Sequence, residues 1–195
     1  MRLGNDSLRW GVISIALHWL TVLLIITIVA IGLYMTEMPN SMQKLRTYAL
    51  HKSLGLTVLG LSLARIGWRA FAGAPGPVGG TPPWQRRAAA ASHTLLYLLL
   101  LALPLSGWAY NSAANFALQW FGLFNLPRLV AADAELKALF LTLHNGLFYA
   151  LLALALVHAG AAIWHHRRGD ATLARMLPVL EPRDEPNPPT EPDRP

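Results

Sequence analysis

Four stretches of this chain, Trp10 to Tyr34, Tyr48 to Phe71, Ala90 to Tyr110 and Leu139 to Trp164, have the length and apolar character to cross a lipid bilayer. That feature limits the fold more than any other. A hydrocarbon core of about 30 Å takes about 20 mostly apolar residues per helix. No water is present at that depth, so every backbone N–H and C=O must be paired inside the segment, and spans of this kind are helical. The composition agrees, with 54% hydrophobic and only 13% charged residues, against roughly 25% charged in soluble domains. The expected fold is an all-α membrane protein: a four-transmembrane-helix bundle over residues 1–177. The tail from 178 to 195 is rich in Pro and Glu and reads as disordered.

Between the second and third stretches, GAPGPVGGTPP is a helix-breaking connector. Pro104 should kink the third helix without ending it, because neighbouring helices can satisfy the freed carbonyl. Asn111 to Ala138 contains Phe116, Trp120, Phe121 and Phe124 and reads as an amphipathic segment on the membrane surface. The first apolar run is too long for a cleaved signal and lacks a small-residue cleavage site, so it is expected to remain as a helix. Trp10, Trp68, Trp108 and Trp164 fall near span ends, as in an aromatic belt. No internal repeat is evident.

The net charge of +6 does not point to nucleic acid, since the basic residues cluster between apolar runs instead of along one polar face. Topology accounts for them. Arg2, Arg9, Arg65, Arg69, Arg86, Arg87, Arg167, Arg168 and Arg175 place nine positive residues on one side, against five (Lys44, Arg46, Lys52, Arg128 and Lys137) on the other. Both termini are therefore expected in the cytoplasm.

Ionisable residues within spans are costly and point to function. His18 and His158 lie at similar depth in the cytoplasmic half of the first and fourth stretches, and His51 and His144 lie near the outer starts of the second and fourth. Depth thus pairs His18 with His158 and His51 with His144. Fourteen residues separate His144 from His158, roughly 21 Å of rise and close to four turns, so both rings face the same side. That arrangement suits two cofactors stacked along a bundle. Arg65 follows His51 by the same fourteen residues and should point inward, where a guanidinium can pair a haem propionate. With no cysteine, iron–sulfur clusters and covalent c-type haem are excluded. Zinc needs more ligands than a pair supplies, whereas two axial nitrogens suit haem iron in electron transfer. Against this stands the reading in which each histidine only bonds a neighbouring helix's carbonyl.

His93, His165 and His166 form a second group at the cytoplasmic end. Interfacial snorkelling is one reading. The other is a quinone site, where a neutral histidine donates a hydrogen bond and then a proton. His165 follows His158 by seven residues, about two turns, and so shares its face, while His166 is rotated away by about 100°.

The segments LHW at Leu17 to Trp19, LHKSLG at Leu50 to Gly55, HTLLYLLLLALPLSGW at His93 to Trp108, LHNGLFY at Leu143 to Tyr149, VHAGAAIWHH at Val157 to His166 and DATLARMLP at Asp170 to Pro178 resemble the bacterial cytochrome b561 family of four-helix di-haem cytochromes. The tail beyond Pro178 is not part of that pattern. The resemblance implies two haem b groups ligated by His18, His51, His144 and His158. It also implies an oxidoreductase that takes electrons from superoxide outside the membrane and passes them to ubiquinone inside. Other relatives serve as electron-carrier subunits that dock a redox protein partner. Lys52, next to His51, is the candidate catalytic residue, guiding the superoxide anion within a basic outer mouth. Propionate pairing and lipid contact are the alternative for that patch. A haem-free helical bundle or transporter is the remaining class.

Overall fold

The computed structural model describes residues 3–177, so the expected disordered tail lies outside the described residues. Four helices dominate: α1 (Val12–Glu37), α2 (Met42–Ala72), α3 (Pro83–Ala113) and α4 (Ala134–Arg167). Local chemistry sets their ends. The Asn5 Oδ1 accepts from the Gly11 amide at 2.9 Å and the Ser14 hydroxyl at 2.7 Å, closing the start of α1 from outside the helix. Ser41 and Asp133 cap α2 and α4 by accepting from the amides of Lys44 and Leu136. Pro83 occupies the first turn of α3, where its missing N–H costs nothing. Gly73 ends α2 at φ 72°, a conformation that favours glycine.

By length and composition α1, α3 and α4 are apolar enough to cross a membrane. In α2, Lys44, Arg46, Lys52, Arg65 and Arg69 leave only a short uncharged stretch, Ser53 to Ala64. Each helix packs on its neighbour in chain order, α1 on α2, α2 on α3 and α3 on α4, whereas α4 makes no close backbone approach to α1 or to α2. The apolar core is one layer, Val58, Leu100 and Leu151, with Leu24, Ile25, Leu96, Leu99 and Leu103 packed against it. Thr21, Ser62 and Ser112 are fully buried. Their hydroxyls donate to the carbonyls of Leu17, Val58 and Trp108 in their own helices, so small side chains let helices approach with no polar atom left over. Leu23, Ile26, Leu33, Leu98, Leu139, Leu156 and Val157 face outward, each more than half exposed. That much apolar surface is suited to lipid and not to water.

At one end, called here the terminal end, the segment before α1, the α2–α3 connector and the chain after α4 are tied together. The Asn5 Nδ2 donates to the Gly73 carbonyl, the Arg175 guanidinium to the Gly76 carbonyl and the Trp19 indole to the Met176 carbonyl. The Trp68 indole donates to the Ser14 hydroxyl, and the Trp108 indole, at the other end, to the Pro127 carbonyl. Two of the belt tryptophans thus use their N–H groups within the protein.

At the opposite end, within the stretch read as amphipathic, an antiparallel hairpin forms from β1 (Leu118–Trp120) and β2 (Phe124–Leu126), with Leu118 opposite Leu126 and Trp120 opposite Phe124. The hairpin turns through Phe121 and Gly122 at positive φ. Backbone at a bilayer edge must find partners, and this backbone finds them in itself and in α2. The Ser53 hydroxyl accepts from the Phe121 amide at 3.0 Å and lies 3.3 Å from the Gln119 carbonyl, while the Trp120 indole donates to Thr57 Oγ1 at 3.1 Å.

Replacing Ser53 by Ala strands the Phe121 amide, and should cost about 1–3 kcal/mol. The expected result is a lower melting temperature in detergent, with amide exchange accelerated over residues 118–126 and unchanged in α4.

Candidate functional site

The helix geometry places His18, His51, His144 and His158 in two levels. His18 of α1 faces His158 of α4 with ring centroids 6.5 Å apart, and His51 of α2 faces His144 of α4 at 6.4 Å. Heptad spacing accounts for the levels. Val58 comes seven residues after His51 and seven before Arg65, and Leu151 comes seven after His144 and seven before His158. Seven residues make nearly two turns and about 10 Å of rise. The apolar layer built on Val58 and Leu151 therefore lies midway between the two histidine levels.

Both pairs reach across the gaps where the helix backbones stay apart, α1 to α4 and α2 to α4. A metal with an imidazole on each side needs two bonds of roughly 2 Å plus the distance from each nitrogen to its ring centre, a little over 6 Å in all. The observed 6.4 and 6.5 Å match that span, and the wide gap gives a planar macrocycle somewhere to lie. His93 of α3 tests the argument: its ring is 5.3 Å from His158, too close for that span, and α3 and α4 pack directly on each other. The residues present fit two bis-histidine haems, one at each level.

The surroundings of the two levels differ. The His144 Nδ1 lies 3.1 Å from the Leu103 carbonyl and 3.0 Å from the Ser106 hydroxyl. The His51 Nδ1 is buried with no hydrogen bond of normal geometry. At the other level the Arg65 guanidinium donates to the His18 Nδ1 at 3.2 Å and lies over the Tyr97 ring. Arg65 thus points into the bundle beside His18, as its spacing from His51 suggests.

Lys52 is not a free cation at an open mouth. It is partly buried, and its ammonium donates to Asn111 Oδ1 at 3.1 Å and to the Ala117 carbonyl at 3.4 Å, just before the hairpin. Lys44 is also engaged, with its ammonium donating to the Met38 carbonyl at 2.7 Å, whereas Arg46, Arg128 and Lys137 are exposed.

His93 and His165, grouped in the sequence, part company in the fold. His93 joins His18 and His158, while the His165 Nδ1 meets the Asp170 carboxylate and its ring packs edge-on to Trp164. Among the described residues no hydrogen bond or ring contact joins His165 to His93. His166 is exposed, as its rotation requires. Partial burial works to raise the Asp170 carboxyl, but the Thr172 hydroxyl and amide and the His165 ring outweigh it and hold the group below the usual carboxylate range. Asp170 was legible only as part of a motif, because its partner depends on how the chain turns at Gly169, φ 86°. Ser106, Asn111 and the glycines behind the histidine rings left no mark in the sequence that singles them out.

The family model for prokaryotic cytochrome b561 matches residues 9–179. Cytochrome b561 homolog 2 of Escherichia coli (strain K12) is 36% identical over 180 residues, covering 91% of this chain and 95% of that protein. Cytochrome b561 homolog 1 of the same organism is 34% identical over 175 residues, 87% of this chain and 97% of that protein. A protein of Yersinia pestis named probable superoxide oxidase CybB is 31% identical over 175 residues, 87% of this chain and 96% of that protein. With its apolar helices and facing histidines, the chain belongs to the prokaryotic cytochrome b561 family, membrane-integral haem b proteins of electron transfer.

Proposed function

We propose that the protein carries electrons across the bacterial inner membrane through two haem b groups, from superoxide at the outer face to ubiquinone at the inner face. The observation that carries this reading is the pair of ring separations, 6.5 and 6.4 Å, at two levels of one bundle. In this reading α2 also crosses, giving four spans. The terminal end, with most of the Arg residues, is cytoplasmic, and the hairpin end faces outward. The name of the Yersinia pestis relative supports superoxide as donor.

His51 and His144 would hold the outer haem, and His18 and His158 the inner one. The haems supply one-electron redox steps; the chain's own groups do the rest. An iron-ligating His18 would carry its proton on Nδ1, which a guanidinium cannot face, so Arg65 would pair a propionate of the inner haem instead of the ring. At the outer end, Lys52 and the exposed Arg46, Arg128 and Lys137 attract a small anion. Lys52, held by Asn111 and the Ala117 carbonyl, presents its charge at a fixed place beside His51. Two superoxide anions release two electrons and leave as oxygen. At the inner end one quinone takes those electrons with two protons. His165 is the proposed donor: with Asp170 accepting from its Nδ1–H, the ring takes up a cytoplasmic proton at Nε2 and passes it to the quinone. His93 is the second quinone candidate.

The purified protein should hold two non-covalent, six-coordinate haems per chain by pyridine haemochrome assay, and His158→Ala should remove the inner one and retain the outer. A single haem in the wild type defeats the paired-ligand reading.

In stopped-flow mixing with superoxide, haem reduction should slow as salt rises and slow further in Lys52→Glu. A normal quinone turnover with no response to superoxide would instead favour an electron-carrier subunit fed by a redox protein partner.

His165→Ala should slow reoxidation of the haems by quinone severalfold with their spectra intact. Because His93 lies 5.3 Å from His158, His93→Ala should slow the same step and also shift the inner haem's spectrum. Unchanged quinone turnover in both variants places the site elsewhere.

A further inference from the structure

The two ligands at the hairpin end are held in the same way, by different helices. Gly107 of α3 sits against His144: a Cβ there would come within 3.2 Å of His144 Cε1 and 3.3 Å of its Nδ1. Gly32 of α1 sits against His51, where a Cβ would come within 3.0 Å of Cε1 and 3.4 Å of Nδ1. Gly107 stands four residues after the Leu103 carbonyl, which lies 3.1 Å from the His144 Nδ1. No other glycine position is bounded by a histidine ring.

The four-residue offset has a physical reason. In a helix the carbonyl of residue i accepts from the amide of residue i+4, and one lone pair remains. The Cβ of residue i+4 points back toward the preceding turn and shields that lone pair from the side. Glycine at i+4 opens it to a neighbouring helix. An imidazole entering there can give its Nδ1 proton to the carbonyl, which fixes the tautomer and leaves the Nε2 lone pair bare. At His144 the seat is complete, since Nδ1 reaches the Leu103 carbonyl at 3.1 Å and the Ser106 hydroxyl, itself donating to that carbonyl at 2.7 Å, supports it. At His51 the Nδ1 is buried beside Gly32 with no hydrogen bond of normal geometry. The terminal-end pair is built otherwise, with Arg65 on the His18 Nδ1.

We infer that Gly32 and Gly107, the latter with the Leu103 carbonyl one turn before it, are positioning residues that orient the two histidines proposed to hold the outer haem and set its electronic state independently of the inner one. The inference rests on His51 and His144 being ligands. In the full-length, haem-loaded protein, Gly32→Ala and Gly107→Ala should each shift the low-spin ferric resonance and the midpoint potential of the outer haem, or drop the haem content from two per chain to one. The inner haem stays unchanged in both. Gly60→Ala and Gly146→Ala, where an added Cβ meets nothing within 4 Å, serve as controls for alanine in place of a helical glycine and should match the wild type. Ser106→Ala, which leaves backbone and packing space intact, should shift the outer potential even if Gly107→Ala does not accumulate. Ser106→Thr, which retains the hydroxyl, should restore it. Glycine variants indistinguishable from the controls, or a Ser106→Ala potential equal to wild type, overturn the seats. His144→Ala separates the two questions: if it leaves both haems in place, the ligand reading has failed, whereas if it removes one while the glycine variants remain silent, only the seats have failed.

Discussion

Because lipid offers no hydrogen bonds, a polar side chain on an apolar helix is best placed where another helix meets it, and the architecture follows from four histidines that meet in two facing pairs. The backbones of α1 and α2 stay clear of α4, yet His18 and His51 meet His158 and His144 across those gaps at nearly equal ring separations. Direct helix packing is confined to the chain-order neighbours. Had α1 closed on α4 as α3 does, the rings would collide or turn to carbonyls, and the bundle would be an ordinary one held by small residues. The gaps are thus a specific departure from close packing, and the apolar layer of Val58, Leu100 and Leu151 between the two levels is where the bundle recovers it.

The helices divide the labour unequally. α4 supplies one histidine to each level, at a fixed rise of roughly 21 Å, so it couples the levels as a rigid ruler. α1 and α2 contribute one histidine each. α3 contributes none to the pairs, but its Leu103, Ser106 and Gly107 all touch His144 and its His93 touches His158. A helix outside the two pairs is therefore the one that contacts both histidines of α4. Pro104 sits within that contact region, where a loosened backbone ladder leaves carbonyls open to side chains.

Much of this was legible in the sequence, for a definable reason. Helix periodicity is a one-dimensional property, so the apolar runs gave the helices, and residue spacing gave the depth and facing of His18, His51, Arg65, His144 and His158. What depends on three dimensions was not legible. Phe116 to Phe124 has the aromatic pattern of a surface segment, but the hydroxyls of Ser53 and Thr57, more than sixty residues earlier, draw it into a hairpin. His93 and His165 share an end of the bundle in one dimension, yet the chain reversal at Gly169 hands His165 to Asp170. The glycine seats were invisible because a glycine in a helix looks the same whether it faces lipid, as an open position such as Gly146 can, or a histidine ring, as Gly107 does.

The two ends surround their histidines differently. At the hairpin end, an imidazole that gives its Nδ1 proton to a carbonyl becomes a stronger donor to iron, which favours the oxidised state. At the terminal end, the Arg65 guanidinium beside His18, with no acidic side chain hydrogen-bonded to it among the described residues, brings positive charge close to the site, which favours the reduced state. If each pair holds iron, as proposed, the carbonyl contact at the hairpin end and the guanidinium at the terminal end act on the two sites differently, although their ring separations are nearly identical.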